Sequence, residues 1–471
     1  MNTLVIVGGA AIAIIFLWFI TRNKILLFWF GFIAVFLPFE YIDKYFISLP
    51  AIFKWLPQLL LVGCTGLTVV LYRKAKQRLP VNLIWLYILF LVVALFSMFY
   101  NETSVEELIY AQRGYIFIIC MIIVFKTIYT KYTLDDIYTF IVKVGLLMAG
   151  LALFERVVFV TILRIDSGDM ITGTFSTDNQ YLLYQLVCTV IVIAYWLNGK
   201  KLISLSPRNT LLIFISSIAI ANNKAGILYV IALLLFFVFL VGYKILFQHL
   251  GKMIYLFFFI FLGAYIFEYF YASFYGDSNR AVNFAYLTDP EYMKNYLFGE
   301  DDAEGKFDKG GGLKRGAAIT FSYDLIKQEP FSLLLGIGPG STLVKPDKSG
   351  GYLSNKYPGY NIGRSTISWL LCETGILGLG IYFCMLLSIF FWNLPQGRKE
   401  HKVIKNTIVL LLFAYAPYEN TILMLANALI IATIIFPNLE QYFTKAKESD
   451  AKHIAENELQ PSPYFTVPTI R

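Results

Sequence analysis

Arg364 and Glu373 stand nine residues apart in GYNIGRSTISWLLCETGILGLGIYF, residues 359–383, a stretch that opens polar and turns apolar. An acid inside an apolar helix costs about 2.5–3.5 kcal/mol on the insertion scale unless it faces a bundle interior and finds a partner. Glu373 therefore reads in three ways: a packing or arginine-pairing group, a general base for an attacking hydroxyl, or an orienter of Arg364. On one continuous helix the two residues would lie on opposite faces about 13 Å apart. They make poor partners unless the helix starts after Arg364. Asp178, in the turn TFSTDNQ, is an equally good base candidate and a better exposed one.

Cations recur near other helix ends. Lys224 sits in AIANNKAGIL between two apolar runs, Arg315 opens an amphipathic piece, and Arg113 and Arg164 are further candidates. Taken singly, each also fits a snorkelling or headgroup-facing side chain. Other chemistries lack their residues. There is no Walker A, no HExxH and no GxSxG, and GIGPGS (336–341) lacks the strand–helix context of a dinucleotide fingerprint. The run Glu300, Asp301, Asp302 could ligate a divalent cation, though an acidic turn in a Gly-rich loop is usually just solvated. The five cysteines fall in apolar runs without metal or disulfide spacing. No metal and no cofactor is expected.

The elements that must carry these residues are membrane helices. The 471-residue chain is 58% hydrophobic and only 15% charged, against about 25% charged in soluble proteins, and its mean hydropathy is +0.65. Apolar runs long enough to span a bilayer lie near 3–21, 25–40, 55–72, 82–100, 114–130, 134–160, 180–198, 209–222, 225–243, 253–273, 366–393, 406–420 and 421–437. The expected fold is an all-α polytopic membrane protein of about 12–13 helices, with APYEN (416–420) splitting the last pair as a turn or a re-entrant element. The first run has TRNK after it and no basic residues before it, so it reads as a retained helix, not a cleaved signal.

Basic clusters after alternate runs, from RKAKQR (73–78) to GKK (199–201) and GRKEHKVIK (397–405), belong in the cytoplasm by the positive-inside rule. The net charge of +8 thus reports topology, with no nucleic-acid partner implied. Four regions follow: helices over 1–273, a large extracytoplasmic loop over 274–365, C-terminal helices over 366–437 and a polar cytoplasmic tail over 438–471. Within the loop, GEDDAEGKFDKGGG (299–312) reads as flexible, and LKRGAAITFSYDLIKQEP (313–330) as a helix ending before Pro330. A long ordered loop on a membrane scaffold is usually functional.

GIGPGST followed by RSTISWLLCETGILGLG resembles the C-terminal signature of the O-antigen ligase/polymerase family at Arg315, at Pro330 before GIGPG, and at Glu373, Gly375, Ile376, Leu377 and Gly378. TGTFSTDNQYLL (172–183) is similar to that family's G-x-F-x-x-x-N segment at Gly173, Phe175 and Asn179. NNKAGIL (222–228) is similar to its Ser-Arg outer turn, with Lys224 where arginine is usual. Where the family's ligases carry a histidine and an asparagine, this chain has Arg364 and Ser365, and none of His249, His401 and His453 falls in a segment read as outside.

The resemblance implies a bacterial inner-membrane enzyme. Its donor would be a glycan on undecaprenyl diphosphate, whose anomeric carbon is attacked by a sugar hydroxyl as the lipid diphosphate leaves. Polymerisation of lipid-linked repeat units outside the cytoplasm is the expected activity, with a chain-length regulator protein as a candidate partner. A ligase and a transporter or flippase of lipid-linked glycan are the alternatives, and a membrane scaffold is the bland one. Arg364, Arg315, Glu373 and Asp178 are the candidate catalytic residues, and Lys224, Asn179, Arg164 and Ser365 the candidate substrate-binding ones.

Overall fold

Several of the apolar runs fold as helices that begin at side-chain caps. Thr133 and Asp136 form a reciprocal capping box at the start of one, Ser206 caps another just before Pro207, and Ser365 pairs with Ser368 at a third. Each satisfies backbone donors that the first turn leaves orphaned. The computed structural model describes most of residues 25–71, 81–241, 251–265 and 313–435. The expectations for the first apolar run, Arg164, residues 299–312 and the tail from 438 lie outside the described residues.

The regular elements among the described residues are all helical. In chain order they are α1 (Ile25–Ala34), α2 (Phe39–Tyr45), α3 (Ala51–Leu71), α4 (Val81–Tyr100), α5 (Val105–Phe125), α6 (Leu134–Phe154, continued by a π-turn over Glu155–Ile162), α7 (Asp178–Leu197), α8 (Pro207–Ile220) and α9 (Lys224–Val241). Then come α10 (Arg315–Ile326), α11 (Pro330–Leu335), α12 (Tyr352–Lys356), α13 (Thr366–Phe391), α14 (Lys399–Tyr415) and α15 (Leu425–Ile435).

Among the described residues, five helices are long and apolar enough to cross a membrane, consistent with a helical membrane protein. Their burial is uneven. The α7 span is 94% buried, and that of α4 only 28%, so α7 runs through the bundle and α4 turns Trp85, Phe96 and Phe99 outward. Large exposed apolar side chains in such number suit a lipid surface and would be a liability in water.

Among the described residues, three helices depart most from the hydropathy expectation. The run expected over 114–130 is α5, which starts nine residues earlier at Val105. Glu106 and Glu107 lie in its first turn, where the helix dipole favours acids that a hydropathy window rejects. The run expected over 406–420 is α14, which begins in the charged segment at Lys399 and stops at Tyr415. The run expected over 25–40 ends at Ala34, and α2 follows as a separate element.

The two ends of the bundle differ in character. At one end Lys200 pairs with Glu400, Tyr195 donates to Asp135, and His401 lies 3.7 Å from the same carboxylate. Lys405 there donates to the carbonyls of Ile389, Phe390 and Trp392 at 2.6–2.8 Å, capping the C-terminus of α13 as a cation should. At the other end α10, α11 and α12 form a small cap with its own apolar centre: Leu313, Ala317, Ala318, Leu353, Ile362 and Cys372. Because Cys372 belongs to α13, the cap is tied to the bundle through that helix.

Candidate functional site

The cap meets α13 where that helix is broken. Gly375 adopts φ 65° and ψ −163° inside it, a conformation open to glycine and strained for other residues. The break frees the carbonyl of Cys372, which accepts from the backbone N–H of Ile337 at 2.6 Å. The glycine-rich segment 336–342 thus sits in the notch. Its backbone is so close that a Cβ on Gly375 would meet the Gly336 nitrogen at 2.6 Å, and the carbonyl oxygen of Leu334 in α11 at 2.4 Å.

Glu373 holds this segment down. Its carboxylate accepts from the N–H of Gly340 and from the N–H (3.1 Å) and hydroxyl (2.6 Å) of Thr342. It is 1% exposed and does not line the arginine cavity described below. Of its three readings, the structure displays the packing one, with loop donors in place of an arginine. The helix does start after Arg364, at Thr366, yet Glu373 is committed elsewhere.

A second buried acid, which the hydropathy reading passed over, repeats the device. Glu155, wholly buried beside buried Arg156, accepts from Tyr45 Oη and from the N–H groups of Thr172 (3.1 Å) and Gly173 (3.0 Å). It pins the segment TGTF as Glu373 pins GIGPGST. The intramembrane-charge rule that singled out Glu373 applies equally to Glu155 and would have found it.

Beside the pinned TGTF segment lies a polar cavity of about 400 Å³. Arg113 comes from α5, Thr174 and Thr177 from the pinned TGTF segment and its continuation, and Gln180 from the first turn of α7. Asn361, Gly363 and Arg364 come from the end of the cap, and Glu419 and Asn420 from the turn APYEN. Asn361 adopts φ 52°, a left-handed conformation that asparagine tolerates, and turns the chain into the short 3-10 helix that carries Arg364.

Glu419 is the hub, and sequence reasoning missed it. Asn179 Nδ2 donates to its Oε2 at 2.8 Å, and Arg315 Nη2 lies 3.9 Å from the same oxygen. Arg315 is fixed from the side as well. Its Nε donates to the Tyr418 carbonyl at 2.9 Å, and its guanidinium stands 3.8 Å over the Tyr418 ring, a cation–π arrangement. Arg364 Nη1 donates to the Leu313 carbonyl at 2.5 Å. Burial pushes the Glu419 carboxyl up to about 7, against the pull of Arg315 and Arg364 and with the Asp178 charge adding to the rise. The signal was available: APYEN places an acid and an amide between two apolar runs.

The structure therefore brings Arg315, Arg364, Asn179 and Asp178 around Glu419, with Arg113 on the same cavity. Lys224 starts α9, whose Tyr229 ring lies 4.5 Å from Tyr415 and 5.7 Å from Tyr418, so the helix begins at this end of the bundle. Ser365 is given a different job from the expected one. Fully buried, it caps α13 and bonds Ser368 Oγ at 2.9 Å, which leaves it no access to a ligand.

What the fold and cavity define is a helical protein with an arginine-bearing polar pocket at the capped end of its bundle. Compared with protein families, with curated proteins and with solved structures, the chain matches none.

Proposed function

We propose that this chain is a multi-pass membrane glycosyltransferase that polymerises lipid-diphosphate-linked oligosaccharide repeat units at the outer face of a bacterial cytoplasmic membrane. The observation that carries the reading is the convergence of Arg113 and Arg364, from two separate elements, on one cavity that also holds Glu419, with Arg315 from a third element 3.9 Å from the Glu419 carboxylate. Three arginines against the two acids Glu419 and Asp178 leave positive charge in excess, which suits an anionic, phosphate-bearing ligand.

In this chemistry an acceptor hydroxyl oxygen attacks the anomeric carbon as the bond to the diphosphate oxygen breaks. Glu419 takes the hydroxyl proton, and the lipid diphosphate leaves with the bonding electrons. A base is most useful when its pKa lies near the working pH, and a carboxyl at about 7 meets that condition. Arg364 and Arg315 face the charge that grows on the leaving oxygens, and donors fixed in advance can supply several kcal/mol there. Asp178 raises the basicity of Glu419 without itself lining the cavity.

A transporter reading draws on the broken helix α13, since transporters use such breaks to bind substrate. Here the freed carbonyl is taken by Ile337 and the notch is filled by the glycine segment, so the break serves to dock the cap. Transfer to another acceptor, as in a ligase, would use the same cavity.

The experiment is reconstitution in lipid vesicles with a synthetic lipid-diphosphate repeat unit. A ladder of products supports polymerisation, one transfer to an added acceptor supports the ligase, and unmodified donor on the opposite leaflet supports transport.

A further inference from the structure

A second polar cavity, about 490 Å³ in volume, lies between the α4–α5 turn and the cap, within the usual range of roughly 300–1,000 Å³ for small-molecule sites. Its charge is opposite to that of the arginine cavity. Glu102, Glu107 and Glu329 line it against one cation, Lys356. Tyr352, 55% exposed, stands at its wall. An acidic cluster alone would mean little. The second observation is Ser341, which lines this cavity, is 1% exposed, and has a hydroxyl with no hydrogen-bond partner among the described residues. Thr103 Oγ1, also on the cavity, is likewise buried and unpartnered. Buried hydroxyls are ordinarily satisfied, and exceptions call for a cause.

The two cavities are one loop apart. Thr342, held by Glu373, packs against Gly363 of the arginine cavity, where a Cβ would meet its hydroxyl at 2.9 Å, and the adjacent Ser341 lines the acidic one. We infer that the acidic cavity binds an uncharged or amino-bearing oligosaccharide, the end of the acceptor chain, beside the arginine cavity that holds the diphosphate. Carboxylates and unpartnered hydroxyls match sugar hydroxyls, an aromatic face matches a pyranose ring, and the excess of negative charge rejects phosphate and acidic sugars. The assignment of the ligand as acceptor rests on the proposed function; the binding of a glycan does not.

The test uses the full chain in nanodiscs with a cysteine at Gln328, a residue on the cavity, and measures maleimide labelling. Cellotetraose, chitotetraose and maltotetraose are compared with tetragalacturonic acid. At least one neutral tetrasaccharide should slow labelling about fivefold at a concentration four times its Kd, and the acidic one should not. Ser341→Ala should abolish the protection while leaving the melting temperature unchanged or raised, since it deletes a hydroxyl that the fold does not use. Glu329→Lys, at an exposed position, should weaken it. Absence of protection by every neutral sugar, equal protection by the acidic one, or full protection in Ser341→Ala would each overturn the inference; the last would mean that the hydroxyl meets only water. Pyrophosphate protection of a cysteine at Asn361 probes the arginine cavity separately, so its failure would count against the proposed function and leave the glycan result standing.

Discussion

At the scale of single residues, the arginine cavity turns on geometry that close chemical analogues do not share. Arg364 presents a planar fork, so Arg364→Ala should abolish polymer in the vesicle assay while protein level and donor lipid stay constant. Arg364→Lys should restore it poorly, because a point charge cannot bind two phosphate oxygens at once. Glu419 gives a pH signature. Its folded carboxyl lies at about 7, above the ordinary glutamate range, so it is protonated and idle as a base on the acid side. The rate should climb as pH rises through about 7 and then level. Glu419→Gln should lose about 100-fold or more in rate together with that pH dependence, and a retained acid limb in the variant would assign it to another group. The same carboxyl makes folding less favourable as pH rises from its unfolded value toward 7, since the folded state binds the proton more tightly there.

At the scale of elements, two buried acids act as clamps for glycine-bearing segments. Glu373→Ala strips acceptors from two backbone donors and one hydroxyl. Each orphaned group costs about 1–3 kcal/mol, so thermal unfolding in detergent should occur well below the parent midpoint. Glu155→Ala should behave alike, because Thr172, Gly173 and Tyr45 lose their acceptor. Gly375→Ala tests the broken helix itself. At φ 65° with a carbonyl 2.4 Å from the new Cβ, it should cost about 1–3 kcal/mol from backbone strain, with clash added, and should release the cap. Limited proteolysis near Tyr352 would report that release. An unchanged cleavage pattern would mean that the cap is held by its apolar centre alone.

At the scale of the whole molecule, the capped end with its arginines and the end with Lys200, Lys402 and Lys405 are opposite faces of one bundle. On the proposed topology the lysine end is the cytoplasmic one, as the positive-inside rule expects. In a background freed of the native cysteines, an impermeant thiol reagent applied to spheroplasts should label a cysteine at Tyr352 and spare one at Lys402, both exposed positions. The reverse pattern would move the cavity to the cytoplasmic side and remove the lipid-diphosphate reading with it. If arginines alone carry the leaving charge, EDTA should leave the product ladder intact; loss restored by magnesium would point to the acids at 300–302 as ligands.

What the sequence determined by itself is what local physics controls. Twenty apolar residues must form a helix in lipid because every backbone group has to be satisfied within the segment. The runs read over 82–100, 180–198 and 366–393 accordingly agree with α4, α7 and α13 to within about two residues, the usual uncertainty of helix ends. Candidate cations were legible for the same reason, since a charge near an apolar run stands out without knowledge of its neighbours. Which groups meet was decided by tertiary structure alone. Asn179 and Glu419 are 240 residues apart, Arg315 and Tyr418 are 103 apart, and Gly340 and Glu373 are 33 apart. No periodicity encodes such pairings; they follow from how helices pack and where loops are pinned. That is why Glu373, conspicuous in the sequence, proves to be a clamp, while Glu419, hidden in a five-residue turn, stands at the centre of the cavity.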